Sequence, residues 1–519
     1  MNYLLAAAPI LVVLSLMVFR RWDGMRAGWA GWLAGLISSA AFFGLTLETW
    51  FVAQFKGLYL SLIVLVVLWP ALLLYNIVDQ AGGIRAITRG LERAIANRGL
   101  LLVVLGWAFS GVLEGLTGLG IPIAIVAPML VSLGVPPVTA VAAAAVGHGW
   151  SVTLGNMGVV MQTLLALVNL ELTVLLPPIA VLLGVVCLAC GVAVAHLLGE
   201  IRLWRQVLIL GLLIAVVQYL LAVSGLSPIA ALGGGVAGIL GGILLGGRNH
   251  TPSGDHTPKG YHTPTVKPIT IEQVKSFSIS LAGYILLTAL MAALAIIQPL
   301  RDAFSEIVWR LTFPEVTTTV GFTTSASQQA FRPLLHPGSL ILVVVLFSYL
   351  FYRRIGRLNG DGMKIATRAT LLSAGPSSLG IIAMVGLATM MDYSGMTILL
   401  AQGFSALLGS FYPLAAPLVG ILGAFATGSN NNSNVLFSLM QQNTAILLGV
   451  SVPLMIAAQT TGGSIGSMLA PAKVMVGCST VGLRGREGEV LRRTLAYGLA
   501  IGIGIGILTF IIAWHGLPV

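Results

Sequence analysis

The sequence predicts an all-α polytopic membrane protein with about twelve transmembrane helices and two re-entrant hairpins, arranged as an inverted repeat. The first observation is composition: 57% of the 519 residues are hydrophobic and only 8% are charged, against roughly 25% charged in soluble proteins. The second is a series of apolar runs long enough to cross a bilayer. The third is a polar pattern that recurs in both halves of the chain, with opposite placement of basic residues.

Twelve apolar runs are predicted to be membrane spans, and two interrupted segments are predicted to be hairpins. The spans lie near residues 3–19, 29–46, 57–77, 136–157, 173–199, 205–223, 228–246, 279–299, 338–352, 371–391, 450–472 and 494–514. The hairpins lie near 99–134 and 414–449, where small and polar residues interrupt an apolar segment. The net charge of +11 arises mainly in short loops between these runs, which indicates topology rather than nucleic-acid binding.

A repeated spacing relates the two halves of the chain. Asp79 precedes Glu114 by 35 residues, and Asp392 precedes Thr427 by the same 35 residues. Basic residues follow the span at 57–77 but precede its counterpart at 371–391, so these spans are predicted to run in opposite directions. The predicted units are a first repeat 1–204, two additional helices in 205–247, a cytoplasmic linker 248–277 and a second repeat 278–519.

This topology places both termini outside the cytoplasm. Arg20 and Arg21 follow the first apolar run, an order that favours a first span over a signal peptide. The basic residues Arg85, Arg89 and Arg93 recur every four residues, which indicates an amphipathic cytoplasmic arm. Inverted repeats of this kind are typical of secondary transporters, and linking arms are compatible with an elevator-like motion.

The two hairpin tips and two polar breaks form the predicted substrate site. A hairpin too short to cross about 30 Å of hydrocarbon must turn back inside protein or beside a wet cavity. Half-helix N-termini there favour an anion, while amides and hydroxyls supply donors and acceptors. Unwound helix is predicted at 147–158, within a broken helix at about 136–157, and at 459–467, within about 450–472. The predicted substrate-binding residues are Gly115, Thr117, Gly118, Gly120, His148, Ser151, Thr427, Ser429, Asn430, Asn431, Asn434, Gln459, Thr460, Thr461 and Ser464.

Ionisable residues are rare in these segments, and intramembrane ionisable residues often carry protons. Glu114 lies at the first tip, His148 at the first break and Asp392 at the end of a predicted span. These three are the predicted proton-coupling residues, with helix capping as the alternative role for Asp392. Lys473, just past the second break, is a further candidate for holding an anion.

No metal site, cofactor or enzymatic centre is predicted. Gly462, Ser464 and Gly466 match GxSxG, but that pattern marks a nucleophile only on a strand–turn–helix beside a base. Tight helix packing explains glycines of this density equally well. Cys187 and Cys190 form a CxxC inside an apolar run, where packing is the better explanation. The sequence leaves the oligomeric state open.

Five segments resemble the bacterial L-lactate permease family. They read SGVLEGLTGLGIPIAIVAPMLVSLG, MDYSGM, GAFATGSNNNSN, AAQTTGGSIGSM and GCSTVGLRGREG, in family order and over most of the chain. The first tip differs from the family's EGAAGFG-like pattern but retains Glu114, Gly115, Gly118 and Gly120. At the second tip, where the family pattern resembles TGSNTxSN, Asn431 and Asn432 mark the departure, which bears on substrate specificity.

The resemblance implies proton-coupled uptake of L-lactate, or a related 2-hydroxymonocarboxylate such as glycolate, across the bacterial plasma (inner) membrane. The implied partners are the monocarboxylate, protons and the lipid bilayer, without nucleic acid. A sodium-coupled carboxylate symporter is the alternative, because Ser/Asn-rich paired tips also resemble those of sodium–dicarboxylate symporters. A passive channel or a membrane-embedded enzyme fits less well.

Overall fold

The structure, a computed structural model, describes residues 2–20, 22–83, 91, 94–118, 120–168, 170–246, 279, 281–483 and 485–515. The arm residues Arg85, Arg89 and Arg93 and the linker 248–277 lie outside this described part. Helices in the first half are α1 (Asn2–Phe19), α2 (Gly24–Phe42), α3 (Leu47–Gln80), α4 (Arg98–Leu116), α5 (Ile121–Ser132), α6 (Pro137–Gly147), α7 (Val159–Leu167), α8 (Leu172–Leu197), α9 (Trp204–Leu221) and α10 (Ala230–Leu245).

In its described residues, the second half has ten further α-helices and four short strands. The helices are α11 (Ala282–Ile296), α12 (Gln298–Ser305), α13 (Pro337–Arg354), α14 (Gly360–Tyr393), α15 (Met396–Leu408), α16 (Tyr412–Thr427), α17 (Asn430–Leu448), α18 (Val452–Leu469), α19 (Pro471–Thr480) and α20 (Glu487–His515). The strands are β1 (Trp309–Phe313), β2 (Val316–Thr317), β3 (Thr323–Thr324) and β4 (Ser327–Phe331).

The number of apolar helices differs from the sequence prediction. Among the described residues, nine helical segments are long and apolar enough to cross a membrane, or ten if the bent pair α11 and α12 counts as one span. The predicted twelve spans are not all matched, because the span at 136–157 divides into the short helix α6 and an irregular segment. A polytopic, mainly helical architecture is nevertheless what the chain adopts.

Two long helices, α3 and α14, correspond closely to each other. Each has 34 residues and an N-cap side chain that accepts a backbone N–H: Thr46 from Thr49, and Asn359 from Gly362. Each is followed by a left-handed glycine, Gly82 or Gly395, whose N–H bonds the aspartate carbonyl three residues before it. Hydropathy underestimated both lengths, because the outer turns of these helices carry polar residues that an apolar window excludes.

The helices α3 and α14 pack antiparallel. Asn76 donates to the hydroxyl of Thr370 at 3.0 Å, and a Cβ placed on Gly57 would lie 2.7 Å from the Thr389 hydroxyl. An offset of 313 residues relates Asp79 to Asp392. The same offset relates Asn76 to Thr389 and Gly57 to Thr370, so it converts one of these contacts into the other. This exchange is what an inverted repeat requires, although the repeat boundaries stay a prediction.

Each segment predicted to be a hairpin contains two consecutive helices. The first pair is α4 and α5, and the second is α16 and α17, which Gly428 and Ser429 separate. Arg98 at the start of α4 donates to the carbonyl of Leu133 after α5 at 2.6 Å. The two ends of the first pair therefore lie together, as a hairpin requires.

The segment between α6 and α7 is irregular, whereas the second predicted break is wrong in position. Residues 148–155 form turns and a bend rather than a helix, but 459–467 is helical throughout and α18 ends only at Leu469, with Ala470 as its extended C-cap. The glycines there serve packing: a Cβ on Gly462 would collide with the Pro417 carbonyl, and one on Gly466 with the Ile421 carbonyl. Close contact of α16 and α18, rather than unwinding, explains the glycine density.

Four short β-strands lie between Trp309 and Phe331, where the sequence predicts no membrane span or hairpin. β1 pairs antiparallel with β4, with Trp309 opposite Phe331, and β2 pairs with β3. Lys56 of α3 donates to Ser327 at 3.2 Å and lies 5.8 Å from the ring centroid of Phe313. These contacts attach the strands to α3 near its N-terminal end.

Candidate functional site

A cavity of about 720 Å³ lies where the second hairpin tip, the first break and the start of α19 meet the long helices. Its walls include Leu68 of α3, Ser377 and Gly380 of α14, and the loop between α1 and α2. Its polar wall is formed by Glu114, Asn156, Thr427, Ser429, Asn430, Asn431, Asn432, Ser467 and Lys473.

Helix N-termini converge around this polar wall. α7, α17 and α19 all begin at it, and the N-cap of α5, Gly120, lies directly behind Lys473. In the described part of the chain, none of these four helices has a side chain that caps its first N–H groups. The positive dipole ends of these helices therefore lie around one region, which suits an anion.

The two charged groups of the polar wall form an ion pair. The Lys473 ammonium lies 3.7 Å from Oε1 of Glu114, and the side chains are only 8% and 2% exposed. Glu114 lies in the last turn of α4 and Lys473 in the first turn of α19. The pair therefore joins the first hairpin tip to the second half of the chain. Among the described residues, Oε2 of Glu114 has no hydrogen-bond partner, so this carboxylate is only partly satisfied.

The first tip and the first break are shaped by left-handed backbone. Gly118 and Gly120 have φ of 64° and 83°, and the adjacent break holds Asn156 and Met157 at 49° and 51°. Positive φ is uncommon for residues other than glycine and tends to mark functional segments. A Cβ on Gly118 would lie 3.1 Å from the Asn156 side chain. The tip therefore rests against Asn156, which faces the cavity.

The second tip is bonded to the first break and to α18. Asn430 donates to the Thr153 hydroxyl at 2.9 Å and to the Thr460 carbonyl at 3.2 Å. Asn434 donates to the Thr460 hydroxyl at 2.9 Å. Within the described structure, the side-chain oxygens of Asn430, Asn431 and Asn434 accept no hydrogen bond. Asn430 and Asn434 thus donate their amide N–H groups to the protein, while the side-chain oxygens of all three asparagines are buried without a described partner.

Several predicted site residues lie behind the cavity wall. Gln459 accepts from Gln441 at 3.0 Å and donates to Ser433 at 3.1 Å. Ser464 donates to the Gly149 carbonyl at 2.8 Å. The ring of His148 is fully buried and its Nδ1 lies 3.1 Å from the Ala144 carbonyl, while Nε2 has no partner in the described part. These groups support the tip and the break rather than line the cavity.

The cavity thus includes five of the predicted site residues: Glu114, Thr427, Ser429, Asn430 and Asn431. Gly115, Thr117, Gly118, Gly120, His148, Ser151, Asn434, Gln459, Thr460, Thr461 and Ser464 lie close behind it, in the tips, the break and α18. Asp392 is not brought to the cavity, since it ends α14 near Lys56. Its predicted role in proton coupling has no geometric support.

Sequence reasoning missed some cavity residues and underrated one. Lys473 was expected only beyond the second break, but the break at Ala470 places it against Glu114. Asn156 and Ser467 line the cavity but are absent from the predicted substrate-binding residues. Both lie within the predicted polar breaks, 147–158 and 459–467. The Asn-Met pair enclosed by Gly155 and Gly158 was a usable signal, because such a stretch favours left-handed backbone.

Comparison with known proteins gives a consistent result. The family model for L-lactate permease matches residues 2–515. An L-lactate permease of Streptococcus iniae is 26% identical over 479 residues, covering 89% of this chain and 94% of the relative. Glycolate permease GlcA of Escherichia coli (strain K12) is 26% identical over 554 residues, covering 99% and 96%.

Among solved structures, the Alcanivorax borkumensis YdaH transporter aligns with a TM-score of 0.49 at 19% identity, over 88% of this chain and 85% of that chain. The family assignment rests on the sequence match, which runs through both hairpins, both tips and the segment containing Lys473. Because the family model covers nearly the whole chain, the protein belongs to the L-lactate permease family and is a multi-pass membrane transporter.

Proposed function

We propose that the protein imports L-lactate, or a related 2-hydroxymonocarboxylate such as glycolate, together with protons across the bacterial plasma membrane. The names of the relatives supply the substrate class, since they are L-lactate and glycolate permeases. The observation that carries the proposal is the buried Glu114–Lys473 pair at a cavity where uncapped helix N-termini meet. A buried carboxylate at a substrate site is a suitable proton carrier.

The polar wall matches the two functional groups of a 2-hydroxy acid. A carboxylate is favoured by the N-terminal ends of α17 and α19 and by the Lys473 ammonium. A hydroxyl can donate to the free side-chain oxygens of Asn430 or Asn431. Simple monocarboxylates lack that donor, so the asparagine oxygens would favour substrates that carry the hydroxyl.

The cavity opens, in our proposal, towards the cytoplasm. Its lining includes the α1–α2 loop, which lies between Arg20 and Arg26, and Gly485 and Gly488, which flank Arg486 in the sequence. Basic loops mark the cytoplasmic side.

On the opposite side, α7 packs against α3 and α17 against α14. The counterpart pairs, α5 with α3 and α19 with α14, make at most marginal contact among the described residues.

This asymmetry supports an elevator-like inverted repeat. The fixed part would contain α2, α3, α13 and α14, and the moving part the two hairpins with α6, α7, α18 and α19. In the outward-open state, α7 would leave α3 and α17 would leave α14. In their place, α5 would contact α3 and α19 would contact α14. Both termini would lie outside the cytoplasm, as the sequence analysis expects.

The experiment that tests the function is uptake of radiolabelled L-lactate and glycolate by purified protein in liposomes. An inwardly directed proton gradient and an inwardly directed sodium gradient are imposed separately. We expect the proton gradient alone to drive accumulation above equilibrium. Accumulation with sodium alone would replace the proposal by the sodium-coupled alternative. Equilibration without accumulation under either gradient would indicate a passive pathway.

A further inference from the structure

We infer that Lys473 is the carboxylate-binding residue of the transporter, and that Glu114 and the substrate carboxylate alternate as its partner. The inference rests on the proposed function and adds the step that links substrate to proton. Glu114 presents to Lys473 the same chemical group as a monocarboxylate substrate. When Glu114 pairs with Lys473, its carboxylate takes the position that we assign to the substrate carboxylate, with Oε1 3.7 Å from the ammonium.

The geometry around Lys473 makes it suitable for this exchange. It lies in the first turn of α19, whose start at Pro471 has no capping side chain in the described chain. Behind it, the backbone of the first tip is close, since a Cβ on Gly120 would lie 3.4 Å from the lysine Cγ. The ammonium is thus confined between the tip and the cavity, where Glu114 Oε1 is its one described ion-pair partner.

Charge balance then determines which states of the site are favourable. With no substrate, ionised Glu114 and Lys473 sum to zero. With substrate, a proton neutralises Glu114 and the substrate carboxylate takes its place on Lys473, so the sum is again zero. Binding only a proton leaves one positive charge, and binding only the anion leaves one negative charge. An uncompensated charge in a buried site is costly, so only the empty and fully loaded states move across the membrane.

This scheme predicts one proton per monocarboxylate and no net charge movement. The proton goes to the Glu114 carboxylate, and no bond other than hydrogen bonds and ion pairs changes. Other ionisable groups near the pair are His148, buried behind the break, and Asp23 and Glu487 at the cavity mouth. The ion pair described for Lys473 is the one with Glu114, so Glu114 is the group whose protonation frees the lysine.

The test measures equilibrium binding of L-lactate to the purified full-length protein by isothermal titration calorimetry, from mildly acidic to mildly alkaline pH. We expect the wild-type Kd to rise with pH, approaching about tenfold per pH unit once Glu114 is ionised. Glu114→Gln is expected to bind independently of pH, with the low-pH affinity of the wild type. Lys473→Gln is expected to lose about tenfold or more in affinity at every pH, and Lys473→Arg to retain most of it.

A lone buried charge in either single variant can disturb folding, so the double variant Glu114→Gln/Lys473→Gln is measured as well. It removes both charges, and we expect a folded protein with the weak affinity of Lys473→Gln. Lys364→Gln is the matched control, because Lys364 pairs with Asp361 on an exposed surface. It is expected to bind like the wild type.

Binding by the double variant within about threefold of the wild type would remove Lys473 as the carboxylate ligand, since its loss is expected to cost tenfold or more. Unchanged pH dependence in Glu114→Gln would overturn the exchange of partners. These failures differ from a failure of the proposed function, in which the wild type itself neither binds nor accumulates L-lactate or glycolate.

Discussion

Asn430 donates a hydrogen bond of 2.9 Å to the hydroxyl of Thr153, which joins the tip of the second hairpin to the break of the first half. The two segments are 277 residues apart in the sequence. Asn430 itself is buried, and in the described structure its side-chain oxygen is free of protein partners. Hydrogen bonds to Thr153 and Thr460 fix the Asn430 side chain. Its position should therefore control how the site binds the substrate hydroxyl.

Displacing Asn430 should weaken substrate binding. A Cβ at residue 463 would collide with Oδ1 of Asn430, so Gly463→Ala is expected to move that amide. We expect KM for L-lactate to rise about tenfold, since one hydrogen bond to the substrate is worth about 1 kcal/mol or more. Gly504→Ala in α20 is the control, because a Cβ there meets nothing within 4 Å. An unchanged KM in Gly463→Ala would argue against a substrate role for Asn430.

Removing the hydroxyl of Thr460 should destabilise the protein. That oxygen accepts from Asn434 at 2.9 Å inside the buried network of α17 and α18. Thr460→Val keeps the shape but leaves the amide unsatisfied, at a cost of about 1–3 kcal/mol. The thermal unfolding midpoint in detergent is expected to fall. Thr509→Val should change it little, because the Thr509 hydroxyl bonds only the Ile505 carbonyl of its own helix.

A cross-link between the fixed and moving parts should stop transport. A Cβ on Gly24 lies 3.2 Å from the Asn432 side chain across the proposed boundary, whereas one on Gly28 lies 3.2 Å from Ala383 Cβ within the fixed part. The Gly28–Ala383 distance joins two Cβ atoms and is close to that of a disulfide, whereas the Gly24–Asn432 distance is measured to Nδ2 and shows that the two residues are in contact. Oxidised Gly24→Cys/Asn432→Cys is expected to be inactive and to recover on reduction.

Oxidised Gly28→Cys/Ala383→Cys is the control and is expected to transport before and after reduction. The two pairs are one helical turn apart on α2, so they test motion rather than local damage. Full activity of the oxidised Gly24→Cys/Asn432→Cys protein, with the disulfide verified by mass spectrometry, would contradict the proposed elevator-like motion.

The cavity should be accessible from the cytoplasmic side. Ala472 lines it and follows the start of α19, while the three native cysteines are buried. Ala472→Cys is expected to react with a membrane-impermeant thiol reagent in inside-out vesicles, and L-lactate should slow the reaction. Thr323→Cys on the β-strands should react only in right-side-out vesicles. Labelling of Ala472→Cys exclusively from the outside would reverse the assigned orientation.

Hydropathy predicted the polytopic membrane class, because that class depends on local composition. The arrangement within α18 could not be predicted in this way. Gln459, Thr460 and Ser464 are polar enough to suggest unwinding, but each finds a partner on another element, which allows an unbroken helix. Sequence alone does not show such long-range partners.

The Glu114–Lys473 pair was missed for a related reason. The sequence places Glu114 at the first tip and Lys473 after the second break, but it predicts that break within 459–467, which separates Lys473 from the tips. Because α18 remains helical to Leu469, Lys473 falls in the first turn of α19 and reaches the first hairpin. One error in the position of a break thus concealed the charge pair on which the proposed coupling depends.

The most direct test of proton coupling through Glu114 compares net uptake with exchange in proteoliposomes containing Glu114→Gln. The neutral side chain leaves the empty site with the uncompensated charge of Lys473, so the empty carrier should not return. The loaded carrier stays neutral, so exchange of labelled for unlabelled L-lactate should persist. We predict loss of uptake driven by a proton gradient together with exchange near the wild-type rate. Uptake driven by the proton gradient at the wild-type rate in this variant would contradict the account.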